Sequence, residues 1–164
     1  MRRIALFLSA ALAYAGTASA CLTPRNQEAL DVIGLKSTLM VSALTCGQRN
    51  EYDRFMTRFQ PYILREQHVM DAYFREHHGR AFHHYEDSYV TNLANVQSTA
   101  GIRQGTAFCA ASAQLFGRVL ATPDQAALTT FARQHPATQP GVVLACGIVE
   151  TSGFRRIERF APAP

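Results

Sequence analysis

Four cysteines, Cys21, Cys46, Cys109 and Cys146, all lie beyond the first twenty residues of this chain of 164. The segment before them has the three parts of a secretory signal peptide. Arg2 and Arg3 form the basic start, Ile4 to Ala15 a short apolar run, and Ala18-Ser19-Ala20 a small-x-small cleavage site. The run is shorter than the roughly 20 apolar residues that span a bilayer. No later uninterrupted apolar run approaches that length; Val142 to Val149 is the longest. Cleavage after Ala20 would leave a mature chain of 144 residues (164 less 20), exported and soluble.

An even number of cysteines in an exported chain reads as two disulfides. Cys21 would be the first mature residue, which raises lipidation. Position −3 is Ala18 where a lipidation signal has Leu, and an acylated Cys21 would strand one of the other three cysteines. Both points argue against an anchor. No CxxC, CxxCH or zinc-finger spacing occurs. The predicted compartment is the periplasm, with release to the outside as the alternative.

The net charge of +4 includes the two signal arginines, so the mature value is about +2. That is too mild for a nucleic-acid surface, and no interleaving of arginine with aromatic residues suggests one. Nothing in the sequence repeats, and no compositional break divides it. The expectation is a signal over 1–20, one helical domain over 21–154 and a frayed tail over 155–164.

Within the domain the pattern is helical throughout. Thr23-Pro24 is a start signal, followed by a helix over Asn26–Cys46 that is apolar nearly all round and therefore central. Gly47 stops it. Asn50 is placed to cap a second helix, Glu51–His78, whose apolar stripe keeps phase across Pro61, where a kink is expected. Arg54, Arg58, Arg65, Asp53 and Glu66 on its other side read as a solvated face. Gly79 ends it. A third helix, Ala81–Ala100, carries Phe82, Tyr85, Tyr89, Leu93 and Val96 on one face and stops at Gly101. A fourth spans Gln104–Ala121. Thr122-Pro123-Asp124-Gln125 reads as a capping box for a short fifth helix ending near Gln134. Val142–Val149 reads as a strand or a buried extended segment.

The fold class that follows is all-α: a disulfide-stapled, up-down bundle of four main helices plus a short fifth, with an irregular C-terminal segment. Up-down packing puts Cys46 and Cys109 at one end and Cys21 and Cys146 at the other. Those are the predicted pairs.

The most unusual local feature is a cluster of imidazoles at the turn between the second and third helices. His77, His78, His83 and His84 fall within eight residues, with His68 upstream and Asp87 in chelating register with His83. Such a group can bind Zn, Cu or Ni if its side chains converge. It can equally be a solvated polar turn, or one that gathers positive charge as pH falls through the imidazole range. Polar residues of the third helix (Tyr89, Thr91, Asn92, Asn95, Gln97, Ser98) would line a groove or bond between helices.

Catalytic signatures are wanting. No GxSxG elbow occurs. The adjacent acids Glu86 and Asp87 point about 100° apart on a helix, a poor geometry for paired carboxylates. The expectation is therefore a non-enzymatic binding or interaction protein of inhibitor, immunity or stress-chaperone type, with a protein partner. The alternatives are a histidine-rich metal binder and a hydrolase that sets Glu86 or Asp87 beside an imidazole.

Overall fold

The computed structural model describes residues 22–141. The expected signal segment, Cys21, Cys146, the Val142–Val149 run and the expected tail from Arg155 lie outside the described residues. Five α-helices follow one another: α1 Pro24–Cys46, α2 Arg49–His78, α3 Phe82–Gln104, α4 Ala107–Leu120 and α5 Gln125–Gln134. A single 3₁₀ turn, Gly79–Ala81, joins α2 to α3.

Local chemistry sets most boundaries. The Thr23 hydroxyl accepts from the Asn26 N–H at 3.1 Å, and Pro24 occupies the first helical turn. Gly47, at φ 72°, ends α1 in the left-handed conformation, and its N–H donates to the Ala43 carbonyl. The Asp124 carboxylate accepts from the Ala127 N–H at 2.8 Å and starts α5. The cap there is thus Asp124 and not Thr122, whose hydroxyl turns back to the Val119 carbonyl at 2.7 Å. Asn50 is no cap either: α2 begins at Arg49, after Gln48.

α1 is the central element and packs against all four other helices. Its length and apolarity would suit a membrane span, yet 67% of its most apolar window is buried inside the bundle. That is the mark of a core helix. Around it Phe55, Phe59, Ile63, Tyr89, Leu93, Phe116 and Leu128 form one continuous core. α2 runs without interruption through Pro61. Burial of Phe59, Tyr62 and Ile63 on either side of the proline holds the helix across the missing N–H.

Cys46 at the end of α1 and Cys109 in the first turn of α4 are joined, with a Cα–Cα distance of 5.4 Å. This is the pairing the up-down topology predicts. Nearby, the Ser112 hydroxyl donates to that of Ser42 at 3.1 Å, a second link between the same helices.

Three expectations are corrected. α3 does not stop at Gly101 but runs on to Gln104, and Gly105, at φ 57°, caps it. Gly101 serves close packing: a Cβ there would sit 3.0 Å from the Phe108 ring. The charged side of α2 is not simply solvated. Glu66 is only 2% exposed and is gripped at both oxygens by the Arg25 guanidinium, while Arg58 donates to the carbonyls of Leu120 and Pro123 at 2.9 and 2.7 Å. Finally, the expected core stripes are narrower than drawn. Leu44 and Tyr85 are 61% and 46% exposed.

After α5 the chain forms a strap, residues 136–140, over the seam between α1 and α3. Gln97 Nε2 donates to the carbonyls of Gly34 and Thr138, the Tyr89 hydroxyl donates to Gln139 Oε1, and Gln139 Nε2 donates to the Leu30 carbonyl. Gly34 makes room for it, since a Cβ there would lie 2.6 Å from Gln139 Nε2 and 3.0 Å from the Ala137 Cβ.

Candidate functional site: an aromatic cleft at the histidine turn

The antiparallel run of α2 into α3 folds two aromatic sets onto each other. Tyr73 precedes Gly79 by six residues and Tyr85 follows it by six, with Phe74 and Tyr89 also flanking the turn. Phe74 and Tyr89 are buried and their ring centroids lie 5.5 Å apart. The His78 ring lies almost parallel to Tyr85, with centroids 3.7 Å apart and an interplanar angle of 8°. Together with Tyr73, Ser88 and Asn92 these residues enclose a cleft of about 290 Å³. Among the described residues no Asp, Glu, Lys or Arg lines it.

The other predicted residues of the turn go to separate partners. The His77 Nδ1–H donates to the Tyr73 carbonyl at 2.7 Å, and its ring lies against Tyr73. His83 packs on Phe82, and its Nδ1 is 3.9 Å from Glu86 Oε2, an ion-pair distance too long for a hydrogen bond. His84 meets Tyr85 edge-on and shares a shallow depression with the exposed Asp87. His68 is exposed on α2. Among the described residues no three His, Cys, Asp or Glu side chains form a group that could hold a metal ion. The structure thus brings His78 into the cleft wall and distributes His77, His83, His84 and Asp87 around its outside.

A carboxyl pair does form, but across helices. Burial pushes the Glu86 carboxyl up to about 7, aided by a hydrogen bond with the Asp71 carboxyl and by the negative charge of Asp71 and Asp87. Arg75 pulls the other way; its guanidinium sits 4.5 Å from the Phe82 ring centroid at the same turn. A carboxyl group whose folded value is raised binds its proton more tightly in the folded chain. Its contribution to stability is full below its ordinary value of 4.5 and is lost as pH rises through about 7. Between pH 5 and pH 8 the wild-type protein should therefore lose on the order of 1 kcal/mol through this pair, after allowance for solvent screening. Glu86→Gln should remove that part of the slope in urea titrations at the two pH values. An unchanged slope in the variant would contradict the assignment.

Tyr89 and Asn92 are among the residues expected to line a groove, but the α2 wall, Tyr73 and Phe74, belongs by its pattern to the apolar stripe of that helix. The available signal was the mirrored placement of aromatic residues about the turn. The amide and hydroxyl series of α3 divides: Tyr89 and Gln97 turn inward to the strap, while Thr91, Asn92, Asn95 and Ser98 stay exposed. Comparison of the chain with protein-family models, with curated proteins and with solved structures finds no match.

Proposed function

We propose that this is an exported binding protein, acting in the periplasm without catalysing a reaction, that takes a neutral aromatic group into the cleft between α2 and α3. The observation that carries the reading is the lining of the cleft: aromatic faces and edges on its floor and walls, neutral polar Ser88 and Asn92 at its rim, and no acidic or strongly basic side chain. Edge-to-face and offset ring contacts favour an aromatic guest. A charged guest would leave its water without a counter-charge. An aromatic side chain presented by a protein partner meets this description. The Cys46–Cys109 disulfide is compatible with an oxidising compartment.

Indole is a suitable probe, because the chain contains no tryptophan and the probe emission is unobscured. Its fluorescence should shift to the blue on addition of the protein, and the amide signals of Ser88, Tyr89 and Asn92 should move. Tyr85→Ala should weaken binding about tenfold by removing one wall. Indole-3-acetate and tryptamine should bind worse than indole. Equal binding of all three probes, or amide shifts that avoid α2 and α3, would refute the proposal.

A further inference from the structure

On the other side of the bundle, α1, α3, α4 and the start of the strap frame a groove made of two adjoining hollows, of about 260 and 350 Å³. The hollows share Thr38, Gln104, Phe108 and Leu115, so one ligand can occupy both. Taken as one groove, they reach the size of small-molecule sites. Phe108, Leu115 and, in the first hollow, Leu35 are the large apolar groups of a lining that also includes Thr38, Gln97, Gln104 and Gln114.

Its charge is one-sided. Among the described residues no Asp or Glu lines either hollow, and Arg118 lines the second. Among the described residues no carboxylate lies within ion-pair distance of Arg118. The guanidinium is nevertheless held in place. Its carbon sits 5.0 Å from the Phe131 ring centroid, and Nη2 donates to His135 Nε2. His135 is fixed in turn: its ring stacks on Phe131 at 4.3 Å, and its Nδ1–H donates to the Phe131 carbonyl at 3.0 Å. That bond leaves Nε2 as the acceptor that Arg118 needs. A guanidinium carries five N–H donors, and the His135 bond uses one. An oriented guanidinium with no carboxylate partner among the described residues, set beside Phe108 and Leu115, is a receptor for a carboxylate with an apolar chain attached.

We infer that this groove binds an alkyl monocarboxylate, its carboxylate on Arg118 and its chain along Phe108 and Leu115. The site is separate from the aromatic cleft and differs from it in the charge of its ligand. Octanoate, used below its micelle concentration, is the probe, with octanol and octyltrimethylammonium as uncharged and cationic counterparts. Calorimetry and amide shifts should show octanoate binding at Thr38, Gln104 and Leu115, weakened by added salt. Arg118→Gln should weaken it about tenfold or more, whereas Arg118→Lys, which keeps the charge, should weaken it less. Ala111→Trp, an exposed α4 position that lines the second hollow, should obstruct binding with Arg118 intact. The inference is overturned if octanol binds as tightly as octanoate, if Arg118→Gln binds octanoate unchanged, or if the shifts fall only at Tyr73 and Tyr85. Indole binding in the α2–α3 cleft, followed by the amide shifts of Ser88, Tyr89 and Asn92 because Ala111→Trp brings its own emission, should be the same in all three variants, which separates failure here from failure there.

Discussion

Replacing Cys46 and Cys109 together with alanine is expected to lower stability by about 4 kcal/mol, the chain-entropy value for a cross-link that spans 63 residues. The closed loop contains all of α2 and α3, so the unfolded chain gains much freedom when the link is lost. The folded side of the argument is as important. Only Ser112, Phe116 and Val119 of α4 are buried, and all lie after its first turn. The beginning of that helix is fastened by the disulfide and the Ser42–Ser112 bond, with little core beneath it. The double variant should therefore melt on the order of 10 °C lower than the oxidised protein, with α4 the first helix to lose amide protection. A melting temperature within one or two degrees of the parent would show that packing alone holds α4.

Arg25→Ala should be nearly as damaging, at about 3 kcal/mol. The reason is the asymmetry of its ion pair: the Arg25 side chain is 46% exposed, the Glu66 side chain 2%. Removing the arginine strands a carboxylate inside the bundle, away from water. The double variant Arg25→Ala/Glu66→Gln should be more stable than Arg25→Ala alone, because the second change deletes the stranded charge. Urea midpoints for the two single variants and the double variant measure this coupling directly. Simple addition of the single costs would mean that the pair stabilises nothing beyond what each side chain does separately. Around this pair the polar side of α2 reaches for α5. The Tyr62 hydroxyl donates to Thr129, and Arg65 donates to Gln125 and, at 3.3 Å, to its own helix at Pro61.

Helix number, order and the Cys46–Cys109 link were legible because they depend on periodicity, caps and chain direction, all local or topological. What the sequence withheld depends on partners far along the chain. A carboxylate at Glu66, beside arginines at 58 and 65, has the pattern of a wet surface. Only the N-terminus of α1, 41 residues earlier, makes it an interior ion pair. Gly101 has the pattern of a helix stop, and its actual role is set by Phe108 on the next helix. Gln97 and Tyr89 look like members of one polar stripe with Asn95 and Asn92, yet their partners Thr138 and Gln139 lie 41 and 50 residues on. Histidine density marks the end of the bundle where the aromatic cleft lies. The cleft there is built by the aromatic residues between the imidazoles.

The strap over α1 and α3 is attached in a way no helix is. Pro136 and Pro140 offer no N–H, and among the described residues no backbone-to-backbone bond ties 136–140 to the bundle. Three glutamine and tyrosine side-chain contacts with the strap, one of them as long as 3.4 Å, and the buried Pro140 do the fastening. Such a fastening has its own, lower threshold for release: the strap can lift from the Gly34 ledge while every helix keeps its ladder intact. When it does, the amide of Gln97 meets water, including an Oε1 that has no partner when the strap is down. Hydration of that oxygen lowers the free energy of the open form. The strap should therefore open before any helix does, at the border of the groove that Arg118 lines, and amide exchange at residues 137–139 as slow as in the helices would contradict this.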